Sequence, residues 1–268
     1  MWSYNRSMTD RQLIFNPNIA EQKPSNKDTC PFCIQDNLGK ILDQRQDMIW
    51  VENKYPTLEA TYQTLIIESD NHLGDISNYS LEKNHQLFSF AFEKWQSLQS
   101  SGRFRSVIMY RNFGPLSGGS LRHPHLQIVG LDNIDGQEKI RIQDFQGLLV
   151  TQETNEQPEI TVSTKPMIDF TEFNIKVSSL SQLDQLADGV QFISDYILTI
   201  FLGGRCKSYN LFFYQFEDSI YCHIAPRFVV SPYQIGYGIH QVNQLKQLEK
   251  ICQQLQELWK KRYSSGLK

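Results

Sequence analysis

The sequence lacks several features that mark specialised classes of protein. Its longest apolar stretch, near residues 196–202, is far shorter than the ~18 residues that a membrane-spanning helix needs. Its 26 basic and 29 acidic residues nearly balance, so a formal charge of −3 gives no support for non-specific binding to nucleic acid or to an acidic membrane surface. The polar N-terminal segment contains no apolar stretch typical of a secretory signal. We therefore expect neither a membrane nor a nucleic-acid partner.

Cysteine is scarce and odd in number. Five cysteines among 268 residues argue against a disulfide framework and favour a reducing compartment. We therefore expect a cytoplasmic protein.

The chain does contain ample material for a buried core. With 40% hydrophobic and 12% aromatic residues, its 268 residues suit one large domain or two small ones. Runs rich in β-branched or aromatic residues predict strands at 48–53 and 62–68, and a helical spacing of apolar residues follows over 80–100. Two further strands are predicted at 104–112 and 126–131. The order is strand, helix, strand, Gly-rich loop, strand.

The second half of the sequence repeats this order. A strand is predicted at 173–179 and a helix at 181–204, and strands follow at 209–216 and 223–230. Setting His223 against His123 brings Ala225 opposite His125, which suggests a second copy that has lost one histidine.

The pattern therefore predicts an α+β fold of two duplicated units, each an antiparallel sheet with one long helix. The most linker-like stretch is 151–166, so we place the units at residues 1–150 and 151–268. A terminal helix at 241–262 carries one apolar stripe, which predicts packing against the sheets or a homodimer contact.

The segment most informative about chemistry is NFGPLSGGSLRHPHLQIV, at 112–129. A loop with Gly118, Gly119 and Ser120 exposes backbone N–H groups to an anion. The alternation that follows places three polar side chains on one face of a strand: His123, His125 and Gln127. A neutral imidazole beside a bound phosphate can attack phosphorus. The simpler interpretation is that the closely spaced histidines are strand residues without a role in catalysis.

The HPHLQ motif resembles the His-Pro-His-x-Gln signature of the galactose-1-phosphate uridylyltransferase family, a branch of the histidine-triad superfamily. Related hydrolases usually end the motif in a third histidine, whereas transferases and phosphorylases carry glutamine, as Gln127 does here. The resemblance implies that His125 is the nucleophile that becomes nucleotidylated. It also implies that Asn112, Ser120 and Gln127 contact substrate phosphates.

The resemblance extends to a metal site. Cys30-Pro-Phe-Cys33 matches the CxxC zinc pair of the family, His72 matches a third ligand and His123 the fourth. Four protein ligands close a Cys₂His₂ site, so the zinc would be structural. Two alternatives remain open, a redox pair and two ordinary cysteines. The polar segment before CPFC is unlike the buried strand that precedes a redox motif.

Two weaker matches concern the substrates. Asn53, in NKYP, matches an asparagine of the nucleotide site, whereas the Arg-rich phosphate-binding stretch of the family is reduced to Lys23-Pro24. The segment at 223–239 resembles the closing motif of transferase-like members and implies that His223 and Arg227 bind the second substrate. Alternatively, His223 is a hydrogen-bonded strand residue and Arg227 pairs with a carboxylate.

Together these features predict an enzyme that moves a nucleoside monophosphate from a nucleotide sugar or dinucleotide to a sugar phosphate or phosphate, through a nucleotidyl-histidine. The alternatives are a dinucleoside-polyphosphate phosphorylase or hydrolase, and a zinc-stabilised nucleotide-binding protein without turnover.

Overall fold

Strands from both halves of the chain form a single antiparallel sheet. The computed structural model describes residues 11–23, 30–34 and 38–264, and the polar N-terminal segment discussed above lies mostly outside these ranges. The described residues form ten strands: β1 Ile41–Arg45, β2 Met48–Glu52, β3 Thr61–Ile67, β4 Ser106–Phe113, β5 His125–Leu131, β6 Gly147–Thr151, β7 Glu159–Ser163, β8 Phe173–Val177, β9 Tyr209–Phe216 and β10 Ser219–Pro226.

The order of the strands shows the duplication. It runs β1-β2-β3-β5-β4-β9-β10-β8-β7-β6, and each neighbouring pair is antiparallel. From the edge of the sheet to its centre, the five strands of the first half run β1-β2-β3-β5-β4 and those of the second half run β6-β7-β8-β10-β9, which is the same order. The two halves meet where β4 pairs with β9. The predicted α+β fold of two repeated units is confirmed, with the two sheets merged into one.

Two long helices cover one face of the sheet. The described helices are α1 Pro17–Gln22, α2 Leu81–Ser100, α3 Leu183–Thr199, α4 Pro232–Tyr237 and α5 Leu245–Ser264. In β5 the residues that join the core with α2 are Leu126 and Ile128. Because successive strand residues alternate in direction, His125 and Gln127 face the opposite side of the sheet. The duplicated helices therefore leave that side open for a site.

Local sequence explains where the long helices begin and end. The Ser80 hydroxyl accepts a hydrogen bond from Lys83 N at 3.2 Å and caps α2. The predicted helix at 181–204 stops earlier, at Thr199, because Leu202, Gly203 and Gly204 all have positive φ. A right-handed helix cannot continue through left-handed residues, so a separate short turn follows α3.

The linker prediction for residues 151–166 is wrong. That stretch contains β7, which pairs with β6 and β8, and the two halves are joined by residues 132–146. The strands β1, β6 and β7 have only five residues each, which is too short for an apolar pattern to distinguish a strand from a loop.

The sequence alignment of the two halves also needs correction. It makes 225–231 equivalent to β5, yet β10 ends at Pro226 and leaves most of that segment outside the sheet. The two residues between β9 and β10 make a tight turn, whereas eleven residues separate β4 from β5. The second half thus has no counterpart of the Gly/Ser loop.

The terminal helix packs against the sheet, which is one of the two roles predicted for its apolar stripe. Leu248, Ile251, Leu255 and Trp259 of α5 are buried, and the helix lies against β6 and β7. None of the helices in the described residues combines the length and apolar character needed to cross a membrane.

Candidate active site

His125 begins β5 and faces a cavity of about 320 Å³ on the open side of the sheet. Seven residues that the sequence singled out line this cavity: Asn53, Asn112, Gly118, Gly119, Ser120, His125 and Gln127. They come from the segment after β2, from β4, from the Gly/Ser loop and from β5. The structure thus brings together all of the candidate catalytic and substrate-binding residues of the first half.

One hydrogen bond fixes the tautomer of His125. Its Nδ1 lies 2.8 Å from the carbonyl oxygen of His123, an acceptor only, so Nδ1 carries the proton. Nε2 then holds the lone pair. Burial lowers the pKa of His125, although the bond to the His123 carbonyl opposes this shift. The imidazole is therefore neutral near pH 7 and suited to act as a nucleophile.

The Gly/Ser loop lines the cavity beside this imidazole. Gly118 has a φ of +84°, which favours glycine, and Gly114, also at +84°, approaches Lys207 so closely that a Cβ would lie 2.1 Å from its carbonyl oxygen. Lys23 donates a hydrogen bond from Nζ to Ser120 Oγ at 3.0 Å. This lysine brings a positive charge to the loop. Its neighbour Pro24 lies outside the described residues.

Gln127 has a partner that sequence reasoning missed. The hydroxyl of Tyr110, on β4, donates to Gln127 Oε1 at 2.9 Å, and the two residues are paired across the strands. Burial raises the pKa of Tyr110, which keeps the hydroxyl protonated. With Oε1 engaged, the amide nitrogen of Gln127 remains as a donor toward a substrate. Only the register of β4 against β5 reveals this pair.

The four predicted metal ligands meet next to the cavity. The ligand atoms of Cys30, Cys33, His72 and His123 all lie within 4.8 Å of one another. Cys33 Sγ is 3.4 Å from Nδ1 of both histidines, and Cys30 Sγ is 3.7 Å from His123 Nδ1. In a tetrahedral zinc site a sulfur and a nitrogen ligand are about 3.5 Å apart, from bond lengths of about 2.3 and 2.0 Å.

The surroundings of His123 favour the same use. Its Nε2 lies 2.8 Å from the carbonyl oxygen of Ser69, so Nε2 carries the proton and the Nδ1 lone pair faces the cysteines. The ring of Phe32 packs edge-on against both His123 and His125. The cluster is compatible with a zinc site, and it adjoins the strand that begins at His125.

The structure does not bring His223 or Arg227 to this cavity. His223 is fully buried in β10, with Nδ1 2.7 Å from Asn174 Oδ1 and Nε2 3.0 Å from Glu172 Oε2, the latter without hydrogen-bond geometry. Arg227 lies beyond β10, where it lines a small separate cavity with Asp169. The buried contacts of His223 match the alternative in which it is a hydrogen-bonded strand residue.

The fold places this chain in a structural class that includes solved uridylyltransferases. A solved uridylyltransferase structure matches with a TM-score of 0.70 at 16% identity, over 88% of this chain and 94% of that one. An ADP-glucose phosphorylase from Arabidopsis thaliana with bound ADP-glucose matches with a TM-score of 0.69 at 14% identity, over 92% and 98%. At such identities the likeness establishes the fold.

Within that class, the chain belongs to the DUF4931 family. Residues 15–134 match its N-terminal domain and residues 137–260 its C-terminal domain, both described as a domain of unknown function. The crystal structure of a DUF4931 family protein from Bacillus cereus is 42% identical, with a TM-score of 0.74 over 82% of this chain and 99% of that one. No curated protein matches the sequence.

Proposed function

We propose that this protein is a nucleotidyltransferase that works through a nucleotidyl-histidine at His125. One observation carries the proposal. The bond from Nδ1 to the His123 carbonyl leaves Nε2 as the nucleophilic nitrogen, in a cavity shared with the Gly/Ser loop. A pure binding site would not need a neutral imidazole held in this tautomer.

In the first step, Nε2 attacks the α-phosphorus of a nucleotide sugar or dinucleoside polyphosphate. A P–N bond forms, and the P–O bond to the leaving phosphate group breaks, so that this group departs with the electron pair. The adduct retains the proton on Nδ1, and the His123 carbonyl stabilises the positive charge of its ring. In the second step an oxygen of a sugar phosphate or phosphate attacks phosphorus, and His125 leaves as a neutral imidazole.

The remaining cavity residues stabilise charge. Phosphoryl oxygens gain negative charge in the transition state, and three groups can donate hydrogen bonds to them: the amide nitrogen of Gln127, the backbone N–H groups near Gly119 and the Lys23 ammonium group. Asn53 also lines the cavity, and it donates from Nδ2 to Gln63 Oε1 at 3.2 Å. We place the nucleoside beside Asn53.

Zinc would be held by Cys30, Cys33, His72 and His123 in this proposal. Four protein ligands leave no open position, so the metal would order the segment around CPFC rather than take part in the reaction. His123 thereby links the metal site to the tautomer of His125 through its own carbonyl.

The test is intact-mass analysis after the protein is mixed with nucleotide sugars of different bases and with dinucleoside polyphosphates. We expect one substrate to leave a nucleoside monophosphate on the protein, and the added mass to identify the base. Addition of phosphate, a sugar phosphate or water alone then identifies the acceptor, which separates transferase, phosphorylase and hydrolase.

The matched variants are His125→Ala and His240→Ala. His240 is exposed and lies far along the chain from the cavity residues, so its loss should leave the adduct intact. His125→Ala should abolish the adduct and turnover while zinc and fold remain. In His125→Gly, added imidazole should accept the nucleotidyl group as a soluble product. An adduct that maps to another residue would overturn the mechanism.

A further inference from the structure

A buried asparagine of the second half contacts two parts of the first half that form the cavity. Asn210 lies in β9, directly opposite Asn112 of β4, and its side chain is almost fully buried. Its Nδ2 atom is 2.9 Å from the carbonyl oxygen of Ser117 and 2.6 Å from Asn112 Oδ1. Asn210 therefore contacts both the Gly/Ser loop and an asparagine of the cavity.

These contacts fix the direction of both amides. A backbone carbonyl only accepts hydrogen bonds, so the Asn210 atom facing Ser117 has to be the NH₂ group. The same NH₂ donates to Asn112, so the Asn112 atom that receives this bond has to be its oxygen. The NH₂ group of Asn112 is thereby left to point elsewhere.

That group lies beside Gly119 of the loop. Nδ2 of Asn112 would be 4.0 Å from a Cβ placed on Gly119, whereas Cβ of Asn112 would be only 3.1 Å from it, and both residues line the cavity. We propose that Asn210 is a positioning residue, which holds the amide of Asn112 so that its NH₂ group faces phosphate bound at Gly119. This inference rests on the function proposed above.

A second contact from the same half supports the loop. Ser208, two residues before Asn210, accepts a hydrogen bond at Oγ from Leu116 N at 3.1 Å. Ser208 and Asn210 together hold the loop at Leu116 and Ser117 from the side of β9. The second half, which has no such loop of its own, thus supports the phosphate site of the first.

The experiment is a double-mutant cycle on nucleotide binding, with Asn112→Ala, Asn210→Ala and the double variant. The probes are UMP, AMP, GMP and CMP, and calorimetry of the full chain gives the dissociation constants. We expect Asn112→Ala to weaken binding of the preferred nucleotide about tenfold or more, and Asn210→Ala about threefold to tenfold. The double variant should bind within about twofold of Asn112→Ala, because Asn210 acts on the phosphate through Asn112 and Ser208 still holds the loop at Leu116.

Asn174→Ala is the matched control. Asn174 is also a buried strand asparagine of the second half, and its Nδ2 donates to the Phe145 carbonyl at 3.1 Å, but it does not line the cavity. Its loss should leave nucleotide affinity unchanged. If Asn210→Ala does not fold, Asn210→Ser takes its place, since a serine hydroxyl is too short to reach both partners.

Wild-type affinity in Asn210→Ala, effects that multiply in the double variant, or failure of both Asn210 variants to fold would overturn the inference. The function proposed above is tested separately by the adduct on His125. If the wild type binds a nucleotide without an adduct, that function fails while the cycle still decides the role of Asn210. If the wild type binds none of the four probes, both are overturned.

Discussion

Arg111 and Glu68 form a two-point ion pair that is completely buried between the sheet and the helices. Nε lies 2.6 Å from Oε1 and Nη2 lies 3.0 Å from Oε2, and neither side chain is exposed to solvent. Nη1 of Arg111 also contacts Asp75 Oδ1 at 2.9 Å and donates to the Tyr209 hydroxyl at 3.0 Å. Because Arg111 belongs to β4 and Tyr209 to β9, this network ties the two halves together behind the cavity.

Removal of one partner from this pair should be costly. Glu68→Ala leaves the buried guanidinium undercompensated, and we expect the free energy of unfolding to fall by about 3–5 kcal/mol. Glu138→Ala is the control, because the Glu138–Arg11 pair lies at the surface and should contribute less than about 1 kcal/mol. Urea unfolding measures both losses. Equal losses in the two variants would contradict this account.

The metal cluster predicts about one zinc ion per chain in the purified protein. Cys33→Ser should lower both the zinc content and the melting temperature, because metal binding adds to the free energy of folding. Cys252→Ser, at a buried cysteine of α5 remote from the cluster, should keep its zinc. Elemental analysis and thermal unfolding provide the readouts. Metal-free wild-type protein would exclude the zinc site and leave the role of His125 standing.

Labelling by a nucleotide substrate should saturate at one nucleotidyl group per chain. The second half joins β9 to β10 by a tight turn of two residues, and so it has no loop that could hold a phosphate beside His223. Quantitative intact-mass analysis at increasing substrate concentration checks the number. Two groups per chain would show a second centre that the strand connections do not provide.

Tyr110→Phe should slow formation of the His125 adduct. The hydroxyl that holds Gln127 Oε1 is lost, and the amide no longer has a fixed direction. We expect the rate of adduct formation to fall about threefold to tenfold, while nucleotide affinity stays within about twofold. Tyr214→Phe, at a β9 tyrosine outside the cavity, is the control. Rapid-quench measurements of both variants decide the point, and equal rates would remove Tyr110 from the site.

The contact between α2 and α3 should make stability depend on pH. His85 Nε2 lies 2.7 Å from Asp188 Oδ1, with Asp184 3.7 Å from Nδ1. The hydrogen bond to Asp188 raises the pKa of His85 above its usual 6.5, against the effect of partial burial. The folded state thus favours the imidazolium, so the stabilisation is complete below about pH 6.5 and is lost as pH rises through the raised pKa.

The measurement is the difference in unfolding free energy between the wild type and His85→Gln, from about pH 5 to about pH 9. The difference should be largest at low pH and shrink as pH rises. Asp188→Asn should flatten this dependence, because it removes the principal cause of the raised pKa. A difference that grows with pH would have the wrong sign for this pair.

The sequence alone determined those parts of the protein that depend on neighbours along the chain. Alternation in HPHLQ places His125 and Gln127 on one face of a strand, and the apolar spacing of α2 predicts its length almost to the residue. The repeated order of elements indicated the duplication. Each of these signals lies within a window of about 20 residues, where periodicity and turn chemistry act directly.

Only the tertiary structure decided which distant residues complete the site. Asn210 reaches Asn112 because β4 pairs with β9, and Tyr110 reaches Gln127 because of the register of β4 against β5. No local pattern marks such pairs, since one step in register turns a side chain to the opposite face. The sequence alignment of the halves failed for the same reason. Strand register is set by the packing of the whole sheet, and in this protein the sheet extends across both halves of the chain.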